Sequence, residues 1–94
     1  MAVFGYARVS TLGQTLEAQI TELKSAGAER VFREKISGVV TDRAQLRRAL
    51  AALQKGDVLL VTRLDRLARS TRDLLNTLAA IAERRAGFRS LHDS

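Results

Sequence analysis

The chain has 94 residues, no cysteine, one histidine (His92) and a net charge of +6. One small domain of that length buries about 60–65% of the surface its unfolded chain would expose. Its composition excludes a disulfide framework, a thiolate zinc site and a cysteine nucleophile, and leaves a histidine metal cluster or a Ser-His-Asp triad almost nothing to be built from.

In chain order, "AVFGYARV" (2–9) is apolar on both alternating faces until Arg8, the pattern of a parallel strand covered on each side. From Gln14 to Ala26, Leu16, Ile20 and Leu23 recur at helical spacing, and Gly27 stops that helix in a C′ role. "RVFRE" (30–34) predicts a short strand, and "KISGVVT" (35–41) a mobile loop around Gly38. Asp42 with Gln45 makes a capping-box start for a helix with Leu46, Ala49, Leu50 and Leu53 on one face and Gly56 at its end. Val58–Val61 is the next strand. After "TRLDRLARS", Ser70 with Asp73 opens a helix whose inward residues are read as Leu74, Leu75, Leu78 and Ala82, and a last strand falls at 87–91. The fold class is α/β, with a mainly parallel sheet of about four strands and helices on both faces.

Charge is unevenly spread. Residues 1–42 carry five basic and five acidic side chains, whereas residues 43–94 carry eleven and five, which accounts for the whole +6. The second half is therefore the expected polyanion-facing surface. Thirteen of the sixteen basic residues are arginine, suited to gripping phosphate through a planar fork, although a GC-rich genome would produce the same bias. No P-loop spacing occurs, and the longest aliphatic run, Val58–Val61, is far short of a membrane span. The expectation is a cytoplasmic protein with no metal, no nucleotide cofactor and no membrane partner.

Two stretches carry candidate chemistry, and both fall at carboxyl ends of strands, where open α/β sheets place their sites. Arg8 and Ser10 emerge on the same face of an extended strand, a hydroxyl beside an anion clamp. Asp65, Arg66 and Arg69 form one polar cluster if that stretch is helical, with Leu64, Leu67 and Ala68 inward. Arg43, a cation in the first turn of a helix, opposes the macrodipole unless an anion arrives there. Together these suit phosphoryl transfer to a serine hydroxyl with arginines stabilising the charge. Plainer readings exist for each. Arg8 could snorkel from a strand end, Ser10 and Thr11 could form a turn, Asp65 and Arg69 could be a surface ion pair, and Gln19 could be a satisfied core amide. Arg47, Arg48, Arg72, Arg84 and Arg85 are read as solvated helix faces.

"YARVST" with Gln14 and Gln19, then "SGVVTDRAQL" and "LLVTRLDRLARS", strongly resembles the catalytic domain of the serine site-specific recombinases, the resolvase and invertase group, in order over essentially the whole chain. The resemblance implies that Ser10 attacks a DNA phosphodiester to give a 5′-phosphoseryl intermediate and a free 3′ hydroxyl. It further implies that Arg8, Arg43, Arg66 and Arg69 surround the phosphate, that Asp65 orients them or helps proton transfer, and that Gln14 and Gln19 lie close by. No metal or ATP is implied. Family members continue into a long dimerisation helix and, in small members, a helix-turn-helix domain, and act as homodimers and tetramers on DNA. The chain, ending at Ser94, is accordingly expected to be the catalytic core without them, inactive as an isolated fragment. Two competitors are a non-catalytic module that associates with recombinase subunits or binds DNA non-specifically, and a receiver-like domain. The latter would need an acidic magnesium cluster where this edge carries arginines.

Overall fold

A computed structural model describes residues 1–9, 14–35, 43–68 and 70–93, with backbone alone at Val9, Gln14, Thr15, Leu16, Lys35 and Arg66. The expected loop at 35–41, the Asp42 cap, Ser10 and Arg69 lie outside the described residues, Lys35 apart. Eight elements follow: β1 Val3–Val9, α1 Gln14–Ser25, β2 Arg30–Lys35, α2 Ala44–Ala52, β3 Val58–Val61, α3 Leu64–Leu67, α4 Thr71–Glu83 and β4 Gly87–Ser90. The strands form one sheet in the order β2-β1-β3-β4, every neighbouring pair parallel.

Alternation along β1 divides the core in two. Tyr6 packs with Phe32, Leu59 and Val61 beneath Leu46, Ala49 and Leu53 of α2, Leu67 of α3 and Ile81 of α4. Ala7 and Leu60 face the other way, onto Ile20 and Leu23 of α1 and onto Ala28. Gly5 lets α1 approach β1 closely, since a Cβ there would lie 3.2 Å from Leu23 and 3.2 Å from Val31. Gly27 ends α1 as expected: it takes φ +108°, Ala28 N–H donates to Leu23 C=O, and its own N–H donates to Lys24 C=O.

Two helices differ from the sequence reading. In α4 the buried residues are Thr77 and Ile81, with Leu74 and Leu78 packed partly beneath them, while Leu75 is 61% exposed and Ala82 also faces solvent. The inward stripe follows angular position rather than residue type. Thr77 can occupy it because its hydroxyl donates to Asp73 C=O at 2.8 Å. The expected Ser70 cap is present, with Oγ accepting from Asp73 N–H at 3.1 Å. In α2 the N-cap position is Arg43, which makes no side-chain cap, and the helix gives way at Leu53, in extended backbone, before Gly56 is reached. Arg84, from the end of α4, lies 3.5 Å from the carbonyls of Ala51 and Leu53. A cation thus sits at the negative end of α2.

Candidate active site

The carboxyl edge of the sheet gathers the ends of β1, β2 and β3 around α3, a single turn carrying "LDRL". Three polar clamps hold that turn. Asp93, just after β4, accepts from Leu64 N–H at 2.7 Å and from the Ser90 hydroxyl at 2.7 Å. The hydroxyl, then that amide, hold its carboxyl below the usual carboxylate value. Arg8 Nη2 donates to the Asp65 carbonyl at 2.5 Å. Arg43 Nη2 donates to the Leu67 carbonyl. With Leu67 itself fully buried, the turn is fixed against the sheet at both ends and beneath.

Arg8 and Arg43 are in turn held from below. Gln19, 7% exposed, accepts from Arg8 N–H at 3.3 Å and donates to Arg8 C=O at 3.1 Å, so one amide secures the backbone at the exit of β1. The reading of Gln19 as a satisfied core amide holds, and its partner is the backbone of Arg8. Arg43 is only 12% exposed: Nη1 pairs with Asp73 at 2.6 Å, Nη2 lies 3.4 Å from the Tyr6 hydroxyl, and the guanidinium stands 5.8 Å from the centre of the Tyr6 ring. Tyr6 donates at 2.7 Å to Glu34, which faces the same side of the sheet. Burial first, then that carboxylate, pushes the Tyr6 phenol well above its ordinary value. Glu34, 6% exposed, also accepts from Gln45 N–H at 2.9 Å and Leu46 N–H at 3.4 Å, the free amides of the first turn of α2.

The start of α2 and the charge of Arg43 are both met within the chain. The anion at that helix start is Glu34, reaching across from β2, and Asp73 of α4 balances the arginine itself. At Asp65 the backbone carbonyl accepts from Arg8, and the carboxylate stands 3.6 Å from Arg63 in an exposed pair. Among the expected residues, Arg8, Gln19, Arg43 and Asp65 converge. Ser10 and Arg69, with the side chains of Gln14 and Arg66, lie outside the described residues, although the backbone places Arg66 within α3 and Gln14 at the start of α1.

Sequence reasoning missed Tyr6, Glu34 and Asp73. A signal existed for the first two, since a tyrosine and a glutamate predicted on neighbouring buried strands each need a polar partner. An open cleft of about 460 Å³ on the α1 side, lined by Gln19, Glu22, Thr62, Arg63, His92 and Asp93, adjoins Arg8 through Gln19. His92 closes one wall by meeting Glu22 at 2.5 Å. Among the described residues no group of three or more histidines, acids or cysteines could hold a metal, and no helix is long and apolar enough to cross a membrane.

Known proteins share both the fold and the sequence. The C-terminal catalytic domain of an IS607-like serine recombinase superposes over 100% of the chain and 69% of its own, with a TM-score of 0.80 at 22% identity, a likeness of fold. A serine recombinase from Sulfolobus solfataricus does so over 99% and 69%, with a TM-score of 0.78 at 20% identity. In sequence, the chain is 49% identical over 92 residues to the serine recombinase gin of Escherichia phage Mu, covering 98% of this chain and 48% of that protein. It is 46% identical over 94 residues to the DNA-invertase hin of Salmonella typhimurium, covering 100% and 50%. The chain thus spans about half the length of these relatives. The model of the resolvase N-terminal domain matches residues 3–94, a span that takes in β1, the clamped α3 turn and the Asp93 cap, and the chain belongs to that family.

Proposed function

We propose that this chain is the catalytic domain of a site-specific DNA recombinase that breaks and rejoins DNA through a phosphoserine. Ser10 Oγ attacks the phosphorus of a backbone phosphodiester, forming a bond to the 5′ phosphate and breaking the bond to the 3′ oxygen. The serine proton is lost and the departing 3′ oxygen gains one, so atoms and charge balance. One phosphodiester is exchanged for another, and the reverse attack by a 3′ hydroxyl reseals the strand without an external energy source. Arginines supply the positive field that the equatorial oxygens require.

The observation that supports this reading most is the meeting of two distant motifs. Arg8, two residues before Ser10, donates at 2.5 Å to the carbonyl of Asp65, the neighbour of Arg66. Arg8 of "YARVST" and Asp65 of "RLDRLARS" thus meet at the carboxyl edge of the sheet. In the proposed mechanism Arg8, Arg43, Arg66 and Arg69 surround the phosphate, Asp65 orients the arginines or helps proton transfer, and Gln14 and Gln19 lie close to the nucleophile. DNA is the partner, homodimers and tetramers the working assemblies, and the cytoplasm the location.

The test is Ser10→Ala in the full-length protein with a nicked or suicide DNA substrate. The variant is expected to fold and bind the site but to form no covalent adduct on a denaturing gel, because the attacking oxygen is gone. Adduct at the wild-type level would sink the assignment.

A further inference from the structure

The buried arginine at the start of α2 needs something to aim it. Arg43 is nearly withdrawn from solvent, and its buried Nε–H meets no acceptor among the described residues, so its direction is set by what its two terminal nitrogens meet. One of those nitrogens holds the Leu67 carbonyl and the other holds Asp73. Asp73 is itself presented rigidly. Its N–H is capped by Ser70 Oγ and its C=O receives the Thr77 hydroxyl, fixing the backbone of the first turn of α4 from both sides. Glu34 already accepts from Tyr6, Gln45 and Leu46.

We infer that Asp73 is a positioning residue for strand cleavage: through its 2.6 Å ion pair it aims the Arg43 guanidinium at the Leu67 carbonyl and thereby sets the α3 turn that carries Arg66. The inference rests on the function proposed above. Asp73 does not touch DNA in this scheme. A charge-assisted pair of this length fixes direction as well as proximity, and displacing a reacting group by ~1 Å can cost about a hundredfold in rate.

Four variants of the full-length protein test it: D73N, D73E, R43K and D73N/R43K. Single-turnover adduct formation is measured at saturating DNA beside the dissociation constant for the site. D73N should cleave about 10- to 100-fold more slowly with unchanged affinity, D73E should recover most of the rate, and the double variant should be no slower than R43K. A D73N rate within about twofold of wild type, a slowing matched by lost affinity, or effects that add in full would overturn the inference. A second readout does not depend on cleavage. In nuclear magnetic resonance spectra of the wild-type protein, the Arg43 terminal nitrogens should show restricted rotation, and D73N should shift the Leu67 and Ala68 amides toward their positions in R43K. Free rotation, or unmoved amides, would also overturn it. Should the wild type form no adduct, or Ser10→Ala form as much, the function proposed above fails, and the guanidinium and amide signals alone decide the positioning claim.

Discussion

Glu34→Ala should be the most damaging single change to the scaffold beneath the site. Glu34 accepts from the Tyr6 hydroxyl at 2.7 Å, from Gln45 N–H at 2.9 Å and from Leu46 N–H at 3.4 Å, at a position only 6% exposed. A hydrogen bond to a charged acceptor contributes about 1.5–3 kcal/mol, and a buried donor stranded without a partner costs a comparable amount. The long Leu46 contact adds little, so the two short bonds decide the total, about 3–6 kcal/mol. A 94-residue domain has roughly 5–14 kcal/mol to lose. The melting temperature should therefore fall by at least about 12 °C, and Glu34→Gln, which keeps one acceptor oxygen, should cost about half as much. Urea unfolding followed by circular dichroism measures this directly. Tyr6, the single tyrosine, gives an independent reading. Without the neighbouring carboxylate its phenol should ionise at lower pH in Glu34→Gln than in the wild type, while remaining above an exposed tyrosine because burial is the larger cause. A loss below about 1 kcal/mol in Glu34→Ala would show that α2 does not depend on this cap and that the network is ornamental.

Arg66→Lys keeps the charge but loses the bidentate fork, so adduct formation should drop at least about a hundredfold with DNA affinity little changed; near wild-type cleavage would make Arg66 a surface residue. Asp57 accepts from Ala2 N–H at 2.9 Å and Gln54 N–H at 2.8 Å, the causes that hold its carboxyl below the usual carboxylate value. A depressed carboxyl stabilises the fold above its unfolded value and loses that effect as pH falls through the folded one. Asp57→Asn should thus lower the melting temperature at pH 7, and the gap should close as the pH drops below about 4; a constant gap down to about pH 2 would contradict the assignment. Arg85 closes α4 in the left-handed region at φ 56°. Arg85→Gly should relieve that strain and raise stability by about 0.5–1 kcal/mol, and a destabilised variant would mean that its side chain contributes more than its backbone costs.

Elements whose signals are local were legible in the sequence. The unbroken apolar run fixes Val58–Val61, Gly27 stops α1, and Ser70 with Asp73 opens α4, because each depends on residues no more than four apart. The edge of the sheet on which the site sits was legible for a topological reason, since parallel strands must end on one side. The network under Arg43 was not. Tyr6 meets Glu34 across 28 positions, Arg43 meets Asp73 across 30, and no period or cap motif spans such distances. Asp73 was visible only as the partner of Ser70, and its carboxylate turned out to serve a different element. Gln19 shows the same limit: periodicity placed it on the apolar face of α1, but only the register of α1 on β1 brings its amide to the backbone of Arg8.

The two arginines of the candidate site whose side chains are described, Arg8 and Arg43, both donate to carbonyls of α3. Arg8 holds that of Asp65 and Arg43 that of Leu67, so both guanidiniums are ordered by the turn they order. Holding cations with carbonyl dipoles keeps their net charge, whereas holding them only with carboxylates would cancel it. Asp73 reaches Arg43 at Nη1 and leaves Nη2, on the side toward α3, to the uncharged Leu67 carbonyl. Both guanidiniums at the edge of the sheet are thus oriented by the fold itself. A transition state that gathers negative charge gains most from such an arrangement, because little reorganisation remains to be done when the charge appears.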